Sequence, residues 1–250
     1  TDPTQRALTV GTSGALRVLA AERPAGLPAG LWCYRLDANR YVTGGALSNG
    51  GNLYAWLTRT LRVEPGGWER RLAAMAPAST GLTFLPLLAG ERSPGFAAHA
   101  TGAIGGLTQA TTADQIVRAG LEAVAVEFAR VDRALDEISW RQPARRLVAS
   151  GGGLLASPGW MQIMADVIGK PVAASRAAEA SSQGAAIMAL EHLGSAVARP
   201  ARVGRIYVPR RGAHLAYRGV MRRQAALYEA LIRDRILDSR GTGAHLEVER

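Results

Sequence analysis

Apolar and polar positions alternate along Ala7-Leu8-Thr9-Val10, break at Gly11-Thr12-Ser13-Gly14, and resume along Ala15-Leu16-Arg17-Val18-Leu19-Ala20. Two extended runs around a tight polar turn predict a β-hairpin. Trp32–Leu36 and Arg40–Thr43, flanking Asp37-Ala38-Asn39, predict two further short strands, which makes an antiparallel meander. Gly44-Gly45 and Gly50-Gly51 bracket a small-residue turn, and a helix is expected from about Asn52 to Leu61. Residues 64–80 read as a connection punctuated by Pro and Gly, with one short helix. Thr83–Leu88 is an apolar extended run that enters the loop Gly90-Glu91-Arg92-Ser93-Pro94.

The pattern then changes to alternating helix and strand. Thr111-Thr112-Ala113-Asp114 opens a long helix with a hydroxyl cap and an acid in its first turn. Ile116, Ala119, Ala123, Val124, Phe128, Val131 and Leu135 recur at helical spacing. Arg146–Ser150 predicts a strand that ends in Gly151-Gly152-Gly153, followed by a helix over Ser157–Ile168. A strand over Pro171–Ala174, an alanine-rich and closely packed helix over Ser181–Leu193, and an amphipathic helix over Tyr217–Leu237 complete the order. Strands first and alternation afterwards imply a mixed sheet with helices on its faces. No internal repeat or low-complexity linker interrupts the chain. One domain is expected over residues 1–237, with a frayed tail over 238–250.

Composition removes several classes. Of the 250 residues 48% are hydrophobic and 20% charged, as in ordinary globular domains rather than disordered or collagen-like chains. No apolar run reaches the roughly 18 residues that a membrane helix requires. The one cysteine, Cys33, cannot form an internal disulfide and fits a reducing, cytoplasmic setting. Formal charge is +10, and Lys170 is the one lysine, so the basic side chains are otherwise arginines. They fall in scattered doublets such as Arg70-Arg71 and Arg222-Arg223, without aromatic interleaving or a nucleic-acid motif, so no nucleic-acid partner is expected. The excess suits an anionic ligand such as a nucleotide or sugar acid. Four histidines and one cysteine give no metal-ligand spacing.

Glycine-rich turns carry the candidate chemistry. Gly11-Thr12-Ser13-Gly14 places small residues and two hydroxyls where backbone N–H groups can approach an anion, and it also suits a plain hairpin. Ser150-Gly151-Gly152-Gly153 demands either a close neighbour or positive φ. With a helix opening at Ser157, it could underlie a nucleotide. It matches neither a Walker loop nor Gly-x-Gly-x-x-Gly. Gly44-Gly45-Ala46-Leu47-Ser48-Asn49-Gly50-Gly51-Asn52 reads as a second wall of the same cleft or as a helix entry capped by Asn49 or Ser48. Glu91 and Arg92 suit either contact with a polyol hydroxyl or an internal ion pair. Gly-x-Ser-x-Gly is absent, so Ser93 is no nucleophile elbow.

Taken in order, six motifs resemble one family. They are Gly-Thr-Ser-Gly-Ala; the Gly-Gly-Ala turn with Trp56-Leu57; Pro-Leu-Leu-Ala-Gly-Glu-Arg-Ser-Pro; Ala-Thr-Gly-Ala-Ile-Gly-Gly-Leu; Ser-Gly-Gly-Gly with Trp160, Gln162 and Ala165-Asp166; and Glu179-Ala180-Ser181-Ser182-Gln183-Gly184-Ala185-Ala186. Over residues 7–235 the chain resembles the C-terminal domain of FGGY-type carbohydrate kinases, in wording most like the gluconate or xylulose kinase branches. The resemblance implies an α/β fold of the actin-like, ribonuclease-H-like type, with a mixed five-stranded sheet flanked by helices. It implies phosphoryl transfer from ATP, with Mg2+, to a sugar or polyol hydroxyl. By that similarity Gly11, Thr12, Ser13 and Gly14 hold the β- and γ-phosphates, and Gly51 matches the second phosphate-side turn. Ala55 stands where some members place a contacting glutamine. Gly151 and Gly152 lie against adenosine, and Ala156 replaces an asparagine that reads the base edge, with Ser157 beside it. Glu91 and Arg92 belong to the loop on the substrate side.

The family's general base is an aspartate in an Asp-Gly segment upstream of the Thr-Ser-Gly loop. Asp2 is the one acid there and lacks the following glycine. The resemblance therefore implies that the base and the sugar-binding N-terminal domain lie outside this chain, and that the chain alone is inactive. ATP or ADP and a sugar are the implied partners, and an exposed domain face could drive homo-oligomerisation. The alternative is a non-catalytic nucleotide-sensing or interaction module of actin-like fold.

Overall fold

The computed structural model describes residues 4–64, 66–138, 144–177, 179–195 and 201–233. The tail over 238–250 and the expected end of the last helix at Leu237 lie outside the described residues. The opening alternation forms a hairpin: β1 (Gln5–Val10) and β2 (Gly14–Ala20) pair antiparallel with Leu8 opposite Leu16. The meander follows, with β2 antiparallel to β4 (Tyr41–Leu47) and β4 antiparallel to β3 (Trp32–Arg35). β4 runs through Gly44-Gly45, where a turn was expected. These glycines answer a shortage of space. A Cβ at 44 would overlap the Leu16 carbonyl oxygen, and one at 45 would come within 2.8 Å of the Val131 methyls.

Beyond β1 the sheet continues with parallel β7 (Arg146–Ser150) and β8 (Val172–Ser175), then antiparallel β9 (Val203–Tyr207). The order is β3-β4-β2-β1-β7-β8-β9, seven strands rather than five, because β3 and β9 extend the two edges. β9 was not expected, since its half-exposed Val-Gly-Arg-Ile-Tyr carries no clean alternation. A separate pair, β5 (Thr83–Leu85) and β6 (Ala103–Gly105), stands outside the main sheet.

Helices α1 (Gly51–Thr60), α2 (Trp68–Ala74), α3 (Ala113–Asp136), α4 (Gly152–Leu155), α5 (Pro158–Ile168), α6 (Ala180–His192) and α7 (Arg211–Tyr228) complete the architecture, and one π-helical turn, Glu229–Arg233, follows α7. α3 starts as the sequence predicts: Thr112 accepts from the Gln115 N–H, and the Gln115 side chain accepts from the Thr112 N–H. This capping box satisfies two N–H groups that the helix start would otherwise leave unpaired. Phe128, Val124 and Val131 of α3 and Met164 of α5 share one apolar core with Leu8, Val10, Leu16 and Leu147 of the strands. At the lower end, buried Arg6 of β1 binds Asp132 and Asp136 of α3, and Lys170 bonds both acids at 2.7 Å. That cluster pins strand to helix.

α6 departs from expectation. It forms where predicted, but no residue of it is buried. Its small side chains are spread around the helix without a one-sided apolar stripe, so none of its faces has been drawn onto the sheet. Arg40 ties the helix to the sheet edge, donating to Glu191 at 2.7 Å. No helix among the described residues is long and apolar enough to cross a membrane.

Candidate functional site

The three glycine-rich turns meet at the end of β1. The β1–β2 turn closes by the Gly11 N–H donating to the Ser13 carbonyl at 3.0 Å. α1 starts directly against it: the Gly51 N–H donates to the Gly11 carbonyl at 2.8 Å, and the Asn52 N–H to the Thr12 carbonyl at 3.0 Å. The α1 start is thus capped by backbone, with no side-chain cap from Gly50. Asn49 and Ser48, the expected caps, do other work. The Asn49 amide donates to the Gly90 carbonyl at 3.0 Å and accepts from the Ala89 N–H at 3.1 Å. The Ser48 carbonyl accepts from Asn52.

The third turn locks against the first two. Gly151 has φ +92°, and a Cβ there would overlap the Val10 carbonyl. A Cβ at Gly153 would lie 3.2 Å from the Val10 oxygen and 3.5 Å from the Gly51 Cα, and one at Gly51 would lie 2.5 Å from the Gly11 oxygen. Gly11 and Gly152, in contrast, have nothing within 4 Å of their Cβ positions. Glycine therefore serves two purposes. At 51, 151 and 153 it lets backbones touch, and at 11 and 152 it leaves backbone open to the outside. Thr12 and Ser13 are exposed beside Gly11, and Gly14 is buried against Phe128. The arrangement leaves the Thr12 and Ser13 side chains exposed beside the interlock, where their hydroxyls can meet an anion as neutral donors.

Ala55 lies exposed on α1, and Ala156 lies exposed where α4 ends. Ser157 is engaged rather than free. It caps α5 by accepting from the Trp160 N–H at 3.1 Å, and it donates to Glu69 at 2.5 Å. Glu69 also accepts from the Gly159 N–H at 2.8 Å. Glu69 thus ties α2 to the start of α5, a role the sequence could not announce across 88 residues. Tyr54 stands between Trp68 and Trp160, each ring centre 6.3 Å away. Burial, with the Glu69 charge behind it, pushes the Tyr54 phenol up.

The residues of the Gly90–Pro94 loop separate. Arg92 is exposed, but Glu91 turns inward. Glu91 accepts from the Tyr228 hydroxyl at 2.5 Å and from the Gly95 N–H at 3.1 Å, with Arg130 at 3.9 Å. Of the two readings of Glu91, the internal one describes its placement, with Arg130 rather than Arg92 as its cation. Burial and the Glu91 bond push the Tyr228 phenol up. Neighbouring Glu127 is also pushed up by burial, against the opposing pull of Arg130.

Fold and turns together define an actin-like ATPase domain, a mixed sheet flanked by helices that opens on a β-hairpin. Within that class the chain belongs to the FGGY family of carbohydrate kinases, whose C-terminal domain it matches over residues 7–191. A gluconokinase of Bacillus licheniformis is 33% identical over 196 residues, 74% of this chain and 38% of that protein. Two solved structures are similar at 27% identity, each covering 92% of this chain and 48% of its own. A gluconate kinase from Lactobacillus acidophilus has a TM-score of 0.79, and a ligand-bound xylulose kinase from the same organism has 0.80. A Plasmodium falciparum glycerol kinase with ADP shares the fold, with a TM-score of 0.75. The chain spans half or less of the length of these relatives.

Proposed function

We propose that this chain is the nucleotide-binding half of an ATP-dependent carbohydrate kinase, and that in the whole protein it delivers phosphate to a gluconate- or xylulose-like substrate. The observation that carries the reading is the interlock of three glycine-rich turns, which leaves Thr12, Ser13 and Gly152 exposed and no atom within 4 Å of a Cβ at Gly11 or Gly152. In this reading the Thr12 and Ser13 hydroxyls and the adjacent backbone N–H groups hold the β- and γ-phosphates. Gly152 and Ala156 line the adenosine. Ala55 supplies contact without a hydrogen bond, and Ser157 acts by capping α5. Arg92 is the loop residue that faces outward towards substrate.

Phosphoryl transfer depends mainly on positioning and charge stabilisation, with a carboxylate to take the hydroxyl proton. Residues 9–14, 48–53 and 150–157 contain no acid. The proton acceptor is therefore assigned to the part of the kinase that the relatives carry and this chain does not span, and the chain by itself is proposed to be inactive. Among the described residues no group of three His, Cys, Asp or Glu could hold a metal. Mg2+ enters this reading as part of the nucleotide, held by its phosphates.

Calorimetric titration of Mg-ADP into the chain tests the reading. Weak saturable binding is expected, since one wall of the cleft is present. Thr12→Val should weaken it about tenfold, the worth of one hydrogen bond to a charged group. No binding by a folded chain, or no effect of the substitution, overturns the assignment.

A further inference from the structure

Behind the Glu69–Ser157 bridge, α2, the first turns of α5 and strand β9 enclose a cleft of about 450 Å3. Its lining brings together Arg70, Arg118, Arg205 and Arg210 against a single carboxylate, Glu69. Two of the four cations are neutralised. Buried Arg118 pairs with Glu122 and donates to the Leu72 and Met75 carbonyls, and Arg210 pairs with Asp166. Glu69 is committed as well, since it accepts from both the Ser157 hydroxyl and the Gly159 N–H. Arg70 and Arg205 remain, both exposed and with no carboxylate partner among the described residues. Arg205 is steadied with its guanidinium 4.8 Å over the Tyr207 ring.

We propose that this cleft binds a phosphate monoester of a small organic molecule. Two unpaired guanidiniums from separate elements suit a doubly charged anion, because each can donate to a different phosphate oxygen. The volume admits a hexose-sized body, and Leu72 and Ile163 offer it an apolar floor. The site requires nothing of the glycine-rich turns, so it stands or falls independently of the nucleotide reading.

Calorimetry on the 250-residue chain, without nucleotide, tests it with three probes: glucose 6-phosphate, inorganic phosphate and glucose. Saturable binding is expected for glucose 6-phosphate, weaker binding for phosphate, and none for glucose. Arg70→Ala or Arg205→Ala should each weaken the ester about tenfold, the loss of one charge-assisted hydrogen bond. Arg23→Ala, exposed elsewhere, should leave it unchanged. Circular dichroism confirms that the variants remain folded. Absence of saturable ester binding overturns the site, as does an equal effect of Arg23→Ala, which would mark diffuse attraction to a cationic surface. Equal affinity for phosphate and ester overturns the assignment of an ester.

Discussion

Gly151 and Gly152 are neighbours that the interlock makes opposites, and replacing each by alanine separates fold from function. At Gly151 the backbone has φ +92°, a region that only glycine occupies without strain, and the added methyl would overlap the Val10 carbonyl. The conformational strain is worth about 1–3 kcal/mol. Overpacking against backbone, which cannot rotate away, adds about 1–3 kcal/mol. Gly151→Ala is therefore expected to lose about 2–6 kcal/mol, a large part of the roughly 5–15 kcal/mol that a domain has in total. At Gly152 no atom lies within 4 Å and φ is ordinary. The substitution there sits at the start of α4 and should be neutral to slightly stabilising, by up to about 1 kcal/mol. Its methyl points to the open side, and if adenosine lies there Mg-ADP affinity should drop about tenfold for roughly 1.4 kcal/mol of lost contact. Urea unfolding followed by tryptophan fluorescence gives the first quantity and calorimetry the second. Midpoints that coincide, or a Gly152→Ala protein less stable than Gly151→Ala, would refute the steric account. A stable Gly152→Ala protein that binds Mg-ADP like the parent would remove adenosine from that wall.

Three further substitutions probe the supports of the site. Ser157→Ala removes the α5 cap and the bridge to Glu69, and thermal unfolding should show a loss of about 1–2 kcal/mol. Tyr228→Phe leaves buried Glu91 short of a donor and should destabilise by about 1–3 kcal/mol in urea, with little effect if the Tyr228 bond is idle. Lys170→Met tests the Arg6–Asp132–Asp136 cluster. Burial pushes the Asp136 carboxyl up, but Lys170 and Arg6 more than offset this and hold it below its ordinary range. A depressed folded pKa contributes stability that is full above the unfolded value, near about 4, and is lost as pH falls through the lower folded one. Both side chains are partly exposed, so the loss on Lys170→Met at neutral pH should be about 1 kcal/mol, and it should shrink as unfolding is measured at progressively more acidic pH. A deficit that stays constant with pH would exclude Asp136 as its source.

Much of the architecture was legible because it is written in local periods. The alternation around Gly11–Gly14 marks a hairpin, and the hydroxyls of Thr111-Thr112 with Asp114 mark the start of α3. Where the local signal is ambiguous, the reading diverged. Gly44-Gly45 looks like a turn, yet it is strand, since glycine can mark either a bend or a place where a neighbouring chain passes close. The alanines of α6 look like close packing, yet small side chains distributed on all sides select no face, and the helix stands exposed.

The sequence by itself determined which residues alternate, where α3 starts, and that three glycine-rich segments follow three extended runs. Only the tertiary structure decided that these turns belong together. Gly153 meets Gly51 and Gly11 because parallel pairing of β7 with β1 brings Ser150 opposite Thr9. That pairing also settles which glycines are packed and which are open, a distinction invisible in their shared identity. It likewise decided that Glu69 reaches Ser157 and that Glu91 turns towards Tyr228. Periodicity records the face a residue presents. Partners across long separations are chosen by the collapse of that face onto others, and a single residue carries no mark of the choice.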